Sequence, residues 1–502
     1  MKNNTVRYIA GSFVWSSIAK LLNAGLKFIS IPLLLVYFGR ENYGLLTLAI
    51  SVNAYMHLLE MGMNTGAVKF FSQWIGLSDY ERVNRVARTN VTVYTILGIV
   101  NALILLLLAW FGQSVFKITS EELHTFRYLL YILAGTSVIN WTMLVFNQLL
   151  VADENMSFTQ QILSLRYILN LVVVFITINF KWSLIQYFLW DTLIGISVII
   201  PYIWVCKRQG LIRSILPGFY WKDFSVIFKY SIAIFTMGIF QFTATQSRPL
   251  ILGMFSNDGV GILSDYRIIE VFPIFIISLG GMMISILLPK TSQAIQQKNK
   301  KAIEQMAYEG TKYTSILISC LCFPIMLNSS SLLVLYVGDG YNSLAVWLAL
   351  WVFSLTLFLH NTPIASLVLA TGKTRMLIYS SAIACVVSML INVFLCKQLG
   401  IGSAVIGYLL YVVIQMSFYY FYFNNRILGL DSFRIFKSFI VPTLLGVIAY
   451  VSVRFMFPVE FNLFAGIITK TIVWILIFFF LLILFNVIDR NKLLFQLKKV
   501  CR

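Results

Sequence analysis

The chain has 502 residues, of which 59% are hydrophobic, 15% aromatic and only 11% charged, and its mean hydropathy is +0.84. This share of polar residues is too small to cover the surface of a soluble globule of this length. The composition therefore places the chain in a bilayer. The formal charge of +19 would suggest nucleic acid as the partner of a soluble protein. In a membrane protein it is first a statement about topology, because Lys and Arg collect in cytoplasmic loops.

A transmembrane helix needs about 20 consecutive apolar residues, and this template predicts an all-α polytopic membrane protein with 14 spans. The predicted spans cover residues 9–38, 44–75, 89–112, 125–152, 163–180, 185–206, 226–255, 262–289, 311–337, 345–370, 377–396, 402–424, 438–457 and 464–486.

The distribution of basic residues gives the expected orientation. With the N-terminus inside, the inside segments hold 24 Lys and Arg and the outside segments hold 4, namely Arg40, Lys117, Lys181 and Lys397. Both termini are therefore expected in the cytoplasm. The longest inside loops, near 207–225 and 290–310, carry no P-loop motif, so we do not expect ATP hydrolysis.

The cysteines and histidines give no sign of a metal centre. The six cysteines lie in or at the ends of apolar runs without the paired spacing of a zinc site, and they are interpreted as apolar filler. We therefore expect no metal, no cofactor and no disulfide framework.

The opening helical hairpin recurs later in the chain. At an offset of 217 residues and without gaps, the identical pairs are Pro32/Pro249, Leu33/Leu250, Leu35/Leu252, Phe38/Phe255, Gly44/Gly261 and Leu46/Leu263. An even number of spans separates the two copies, which predicts two six-helix lobes in a parallel pseudo-twofold repeat. The predicted parts are an N-lobe at 1–206, a linker at 207–225, a C-lobe at 226–424, two extra helices at 438–486 and a cytoplasmic tail at 487–502.

Several ionisable residues fall inside predicted spans, where each costs about 2.5 kcal/mol or more unless it is paired or hydrated. Lys20 and Lys27 share one face of the first span, Lys69 lies on the second, and Arg248 directly precedes Pro249. These four are the candidate cationic lumen, and a net positive interior suits an anionic cargo. Three further bases are expected to reach the headgroups from span ends: Arg127, Arg166 and Lys229.

Acidic residues at depth are fewer, and they are candidates for ion coupling or charge pairing. Arg267 and Glu270 stand at positions i and i+3 and can form a salt bridge, while Asp265 precedes them. Structural pairing of each base with an acid remains the alternative to a cargo site. Glu60 is either a counter-ion to a lysine or a carboxyl that exchanges a proton during transport, and His57, three residues earlier, is either its relay partner or a packed polar side chain.

Four stretches carry a family resemblance: 38–45, 59–66, 370–374 and 399–404, the last two with Asn392 between them. In this order they resemble the Wzx-type polysaccharide flippases of the MOP (multidrug/oligosaccharidyl-lipid/polysaccharide) exporter superfamily. The resemblance implies a MOP/MATE-like fold without enzymatic activity. It also implies that the last two spans, with Arg454 and Lys470, contact a lipid tail as the extra helices of lipid II flippases do.

The resemblance further implies transport of undecaprenyl-pyrophosphate-linked oligosaccharide repeat units, for O-antigen of lipopolysaccharide, capsule or exopolysaccharide, from the inner to the outer leaflet. Alternating access coupled to a proton or another ion in antiport is the expected mechanism. A lipid II flippase and a cation-coupled multidrug antiporter are the alternatives. We expect a monomer in membrane lipid, with a polysaccharide polymerase and a chain-length regulator as candidate partners and no nucleic acid.

Overall fold

The computed structural model describes residues 2–371, 375–457 and 463–488, with side chains at all of these positions except 2–10, 13, 59, 61, 233, 237, 279–290, 292 and 293. The first ten helices are α1 Lys2–Phe38, α2 Arg40–Met56, α3 Met61–Gly76, α4 Tyr80–Val115, α5 Ser120–Ala152, α6 Met156–Phe180, α7 Leu184–Ser197, α8 Ile199–Arg208, α9 Trp221–Phe255 and α10 Ile262–Gln296. The following helices are α11 Lys300–Leu327, α12 Ser329–Val337, α13 Ala345–Leu359, α14 Thr362–Thr371, α15 Arg375–Leu399, α16 Ile401–Phe418, α17 Ser432–Met456 and α18 Leu463–Leu484.

The all-helical membrane fold predicted from the composition is confirmed, but the number of spans is not. Among the described residues, 11 helices are long and apolar enough to cross a membrane, or 12 if the bent pair Trp221–Thr236 and Gly238–Phe255 forms one span. Predicted spans 44–75 and 262–289 fall on α2–α3 and α10, which are not in that count. Fourteen spans therefore stay a prediction, and the predicted tail lies outside the described residues from 489 onward.

The two copies of the sequence repeat adopt matching helix ends. Helix α1 ends at Phe38 and α9 ends at Phe255, which are equivalent positions at the 217-residue offset. Gly39 follows α1 with φ of 80°, a conformation that glycine adopts without steric cost, and the chain then turns into α2. Pro32 and Pro249 lie inside their helices.

Backbone contacts divide the chain into two compact units. The first comprises Met1–Ile268 and Met389–Ala404, so that it contains α1 to α9, the first turns of α10 and the adjoining ends of α15 and α16. Its core includes five fully or almost fully buried aromatic side chains from α3, α4, α5 and α9: Phe71, Tyr94, Trp141, Phe146 and Phe224. The lobes at 1–206 and 226–424 follow the repeat and stay a prediction.

The second unit comprises Ile269–Ser388 and Val405–Arg502. In it, α11, α17 and α18 share a core in which Trp474 stacks on Phe323 and Phe478, with ring centroids 5.6 and 4.7 Å apart. The indole Nε1–H of Trp474 donates to the Gly446 carbonyl at 3.2 Å. The last two helices are thus packed onto this unit through a tryptophan whose only polar atom is satisfied.

Candidate functional site

Two turns of the first unit meet at the start of α2 and α10. Arg40 binds Asp265 in a bidentate pair, with Nε to Oδ1 at 3.0 Å and Nη2 to Oδ2 at 2.7 Å. The Ser264 hydroxyl also donates to the Arg40 carbonyl. Charge-assisted, two-point contacts of this kind fix the relative position of the two segments as well as stabilise it.

The closest approach of these turns occurs at the repeated glycines. A Cβ at Gly44 would overlap the backbone carbonyl of Val260 and lie 3.3 Å from the α carbon of Gly261. A Cβ at Gly261 would lie 2.7 Å from Nη1 of Arg40 and would also overlap the Glu41 carboxylate. Because Gly44 and Gly261 are equivalent in the repeat, the two hairpins meet at corresponding positions, where a side chain does not fit.

Helices α2 and α10 make a further contact beyond these turns. Nη2 of Arg267 donates to the Ser51 hydroxyl at 3.3 Å, and Ser51 is buried and donates to the Thr47 carbonyl. Arg267 and Glu270 are each half-buried. The salt bridge predicted between them stays a prediction, and Asp265 pairs with Arg40.

A second tight crossing joins α3 to α9. A Cβ at Gly62 would overlap the carbonyl of Ser231, and a Cβ at Gly66 would lie 2.5 Å from the Ser231 hydroxyl oxygen. Glycines four residues apart let two helix backbones approach closely in a membrane. Helix α9 therefore contacts α3 here, while the turn that follows α9 contacts α2 near Gly44.

His57 and Glu60 lie where α2 ends. Residues His57–Glu60 form a short 3₁₀ segment before α3 begins, and His57 Nδ1 lies 3.1 Å from Glu60 Oε2. The imidazole stacks on Trp141 with a centroid distance of 5.3 Å and an angle of 8°. The structure thus pairs Glu60 with the histidine that the sequence suggested as its relay partner, and it also shows the packing contact that was the alternative.

Buried polar groups surround this pair in the α4–α5 region. Nε2 of Gln148 donates to the Tyr94 hydroxyl at 2.7 Å, and the amide of Asn90 lies 3.5 Å from Gln148 Oε1. Asn101 bridges Asn53 and Ser137 at 3.2 and 2.9 Å. Among the described residues, the buried Oδ1 atoms of Asn90 and Asn101 have no hydrogen-bond partner, so this network is only partly satisfied.

The four predicted cationic residues occupy different surroundings. Lys20 and Lys27 are exposed on α1, and Lys69 is exposed on α3 with its Nζ 3.9 Å from the ring centroid of Tyr230. Arg248 on α9 is buried, with 5% of its surface accessible. Their arrangement as one lumen stays a prediction.

Two arginines expected at the headgroups also contact neighbouring helices, and their position at the headgroups stays a prediction. Arg127 donates from Nε to the Ala109 carbonyl at 2.9 Å. The guanidinium of Arg166 covers Gly195, where a Cβ would lie 3.0 Å from Nη2. Asp191, one turn before Gly195, interacts electrostatically with Arg166 and Lys27. Lys27 therefore has an acidic neighbour that sequence reasoning counted but did not assign to it.

The contact that sequence reasoning missed is the one made by Arg40, which was placed in an exposed outside turn. Its partner Asp265 is 225 positions away, and neither residue has a charged equivalent in the other repeat: Asn257 corresponds to Arg40 and Leu48 to Asp265. The repeated glycines were the available signal for the meeting place. Among the residues that the structure describes, no group of three or more His, Cys, Asp or Glu is placed to hold a metal ion.

The sequence matches a known protein family. A family model described as polysaccharide biosynthesis protein matches residues 9–294, more than half of the chain. The chain belongs to this family. A search of curated proteins gave no significant match.

Solved structures with the same fold are transporters and flippases. Lipid II flippase MurJ in an inward closed conformation aligns with a TM-score of 0.72 at 12% identity, covering 94% of this chain and 98% of that chain. An inward-facing multidrug resistance MATE family transporter of the MOP superfamily aligns with a TM-score of 0.65 at 16% identity, covering 82% and 98%. A MOP superfamily transporter from Pyrococcus furiosus aligns at 0.53 and 14% identity, covering 88% and 96%. This member of the polysaccharide biosynthesis family thus has the fold of MOP superfamily transporters and spans the membrane several times.

Proposed function

We propose that the protein is a flippase that moves undecaprenyl-pyrophosphate-linked oligosaccharide repeat units from the inner to the outer leaflet by alternating access. The product would be O-antigen, capsule or exopolysaccharide. The observation that carries the proposal is the contact of the two repeat-related turns, at Gly44 and Gly261, in a member of the polysaccharide biosynthesis family. A transporter built from repeats closes one end of its route by bringing equivalent elements together.

Alternating access requires this contact to be reversible. The Arg40–Asp265 pair is partly exposed, with 37% and 14% of the two side chains accessible, so water can replace its hydrogen bonds when the turns separate. At Gly44 the contact is with backbone atoms of Val260 and Gly261, and at Gly261 it is with the ends of the flexible Arg40 and Glu41 side chains, which can move as the turns separate. We therefore interpret the two turns as a gate that opens and closes once in each cycle.

The anionic pyrophosphate would be held by the cationic residues. Arg248 is the best candidate for direct contact, because a buried guanidinium can bind phosphate oxygens in two places. Lys20, Lys27 and Lys69 would bind the headgroup at successive positions along the route, each as a point charge. The electrostatic interaction of Asp191 with Lys27 would be exchanged for one with the cargo.

Coupling to an ion gradient is assigned to Glu60. Its carboxylate lies beside His57 at a break in the helix, and both groups can take up and release a proton. Protonation of Glu60 would remove the negative charge beside His57. The contact between the first and last residues of the 3₁₀ segment would then weaken. The cycle would then return one or more protons for each lipid-linked unit.

Helices α17 and α18 are assigned to the undecaprenyl tail. Both expose large apolar side chains, including Phe455, Phe464, Leu476 and Phe480 at 62–81% accessibility, although Trp474 and Phe478 hold α18 to the second unit. Half-exposed Lys470 and exposed Arg454 flank this surface. The termini are proposed to be cytoplasmic and the membrane to be the bacterial inner membrane, in agreement with the distribution of Lys and Arg.

The direct test is transport of a fluorescent undecaprenyl-pyrophosphate oligosaccharide in proteoliposomes, measured by enzymatic access to the sugar from one side. The wild type should move the sugar across the bilayer, and Lys27→Ala and Arg248→Ala should not. Lys300→Ala, an exposed lysine at the start of α11, is the matched control and should transport normally. Equal transport by all four proteins would exclude the proposed lumen.

Lipid II transport is the second candidate. The similarity to lipid II flippase MurJ covers 94% of this chain, whereas the similarity to the MATE transporter covers 82%, which favours a lipid-linked cargo over a small drug. Lipid II and the oligosaccharide-linked lipid share the pyrophosphate and tail but differ in the sugar. Competition between the two in the same proteoliposomes would identify the preferred cargo, and transport of a cationic drug alone would favour the antiporter.

A further inference from the structure

The segment that connects α8 to α9, residues 209–220, is held along the start of α4 by its own backbone. We call this segment the strap. Backbone N–H groups of the strap donate to α4: Arg213 to Asn84 Oδ1 at 2.9 Å, Gly218 to the Thr92 hydroxyl at 3.0 Å and Tyr220 to the Thr89 hydroxyl at 2.9 Å. Backbone carbonyls of the strap accept from α4: Leu216 and Pro217 from the Arg88 guanidinium at 3.0 and 3.2 Å, and Gly218 from the Thr92 hydroxyl at 2.7 Å.

Of the α4 side chains that make these bonds, Asn84, Arg88 and Thr92 recur at intervals of four residues and Thr89 lies three before Thr92, so they form one helix face. Leu211 and Ile212 anchor the beginning of the strap in the buried core of the first unit. At its end, a Cβ at Gly218 would lie 3.0 Å from the Tyr220 ring and 3.1 Å from Arg88 Nε. The strap is therefore a fixed structural element with defined inner and outer sides.

Because α4 takes up the backbone polar groups, apolar side chains of the strap are left facing outward. Leu216 and Phe219 are each 69% exposed, and Trp221, the first residue of α9, is 46% exposed. Phe219 and Trp221 stack with ring centroids 6.0 Å apart and an angle of 14°. A rigid, exposed aromatic pair of this kind is a typical membrane-interface anchor.

Basic side chains accompany these rings. Lys207, Arg208, Arg213 and Lys222 are all exposed, and residues 207–222 contain no Asp or Glu. The next acid along the chain, Asp223, is engaged by Arg82 at 3.3 Å and by Arg85 at 3.0 Å. The strap and the adjoining ends of α8 and α9 thus carry four positive charges that this carboxylate does not neutralise.

The position of the strap in the chain limits which molecules can contact its outer side. It connects a membrane-spanning helix pair that ends at Arg208 to the bent span that begins at Trp221, so its ends are fixed at the membrane boundary. Twelve residues bound to α4 cannot extend far from that boundary. We propose that the outer side of the strap binds anionic phospholipid headgroups, with the basic residues on the phosphates and with Leu216 and Phe219 between the lipids. This inference is independent of the transported substrate.

The test uses the full-length protein in neutral detergent and counts bound lipids by native mass spectrometry in an equimolar mixture of phosphatidylglycerol and phosphatidylcholine. Replacement of the four basic residues by glutamine should lower the preference for phosphatidylglycerol by about fivefold or more. A matched variant with Lys300, Lys301, Arg426 and Lys437 replaced by glutamine loses the same charge at exposed positions elsewhere and should keep the preference. Leu216→Ser with Phe219→Ser should weaken retention of both lipids alike.

The proposal is wrong if the strap variant keeps the wild-type preference, or if the matched variant loses it equally, because the strap would then have no special role. A second measurement needs no variant. Stabilisation of the wild type by phosphatidylglycerol, measured as the shift in unfolding temperature, should shrink between about 50 mM and about 500 mM NaCl, since salt screens exposed charges. A shift that is unchanged by salt would also contradict the proposal.

Discussion

Arg40 joins the two repeat-related turns through two charge-assisted hydrogen bonds to Asp265 and through its own carbonyl, which accepts from Ser264. Such bonds contribute about 1.5–3 kcal/mol each when a charged group takes part, although partial exposure lowers this. The pair therefore has enough energy to bias a two-state gate without locking it. In the proposed gate, the pair favours the closed state at rest.

Removal of this bias gives the first prediction. Arg40→Ala should shift the gate toward the open state by about 1–2 kcal/mol, which is roughly a five- to thirtyfold change in population. Ser264 is buried in the closed contact, so Ser264→Cys in a protein lacking the native cysteines reports opening through its reaction with an impermeant thiol reagent. Labelling should be several times faster in the Arg40→Ala protein.

Charge reversal provides the control for that experiment. Asp265→Arg alone should increase labelling, and Arg40→Asp combined with Asp265→Arg should restore slow labelling because the pair is re-formed in the opposite sense. If the double variant labels as fast as either single variant, the ion pair does not hold the turns together.

Glu60 gives the second residue-scale prediction. Glu60→Gln keeps the shape of the side chain but cannot exchange a proton, so an imposed pH gradient should no longer stimulate transport in proteoliposomes while exchange without a gradient persists. Glu304→Gln, an exposed acid on α11, is the control. Stimulation by the gradient that remains after Glu60→Gln would remove this residue from coupling.

The role of His57 can be separated from its packing. His57→Phe retains a ring that can stack on Trp141 but removes the nitrogen next to Glu60. If His57 is a relay, gradient-driven transport should fall at least several-fold with unchanged thermal stability. Normal transport would show that His57 serves only to pack against Trp141.

At the scale of single residues, the sequence predicted where a contact lies better than which residues form it. The identity of Gly44 and Gly261 indicated a repeated turn, and the structure places these glycines at the contact. The partner of Arg40 could not be predicted, because ion pairs between distant segments depend on how helices pack and leave no periodic signal. Asp191 beside Lys27 and Arg166 is a second case of the same kind.

Helix α9 is the element on which most of these contacts converge. Its first turn carries Asp223, which binds two arginines of α4, its middle crosses α3 at Gly62 and Gly66, and the turn after it meets Gly44. A bend of 59° separates Trp221–Thr236 from Gly238–Phe255. The physical consequence is that the two halves of α9 can respond separately to contacts at their two ends.

The glycine contacts predict strong effects of a single methyl group. Gly44→Ala and Gly62→Ala should each slow transport by about tenfold or more, because overpacking costs about 1–3 kcal/mol where backbone lies in the way. Gly135→Ala is the matched control, since a Cβ there has no atom within 4 Å and alanine favours the helix. Initial transport rates in proteoliposomes measure the difference. Equal rates for all three variants would mean that these crossings are not constrained during transport.

Element boundaries show where prediction from sequence stops. Apolar length located the helices, and Gly39 located the end of α1. The break at His57–Glu60 was not predicted, because no proline or charge run interrupts the apolar pattern there. The π-helix Tyr419–Ile427 was likewise unpredicted within an aromatic run, and the linker at 207–225 gave no sign that α4 would bind its backbone.

At the scale of the molecule, a membrane protein followed from composition alone, transport was inferred from the repeat and the family resemblance, and the identity of the cargo depends on the family and on charge. The basic residues are numerous enough to fix topology and also to line a route for an anion. The structure describes each of the two compact units, and both copies of the repeated turn lie in the first. Which sugar is carried depends on contacts with the sugar itself.

In cells, the predicted consequence of losing the cationic route is loss of surface polysaccharide. A strain that carries Lys27→Ala or Arg248→Ala should lack it while the protein still reaches the membrane in normal amounts, and Lys300→Ala should be normal. Immunoblots of membranes and of extracted polysaccharide measure both quantities. Normal surface polysaccharide from both lumen variants would contradict the assignment.

The most direct measurement of the central claim is leaflet-to-leaflet movement of an undecaprenyl-pyrophosphate-linked oligosaccharide by the purified protein in proteoliposomes. The proposed function predicts protein-dependent transfer of the sugar that is lost in Arg248→Ala and slowed in Gly44→Ala but retained in Lys300→Ala and Gly135→Ala. Transfer no faster than in protein-free liposomes, with the wild type folded and correctly inserted, would contradict it.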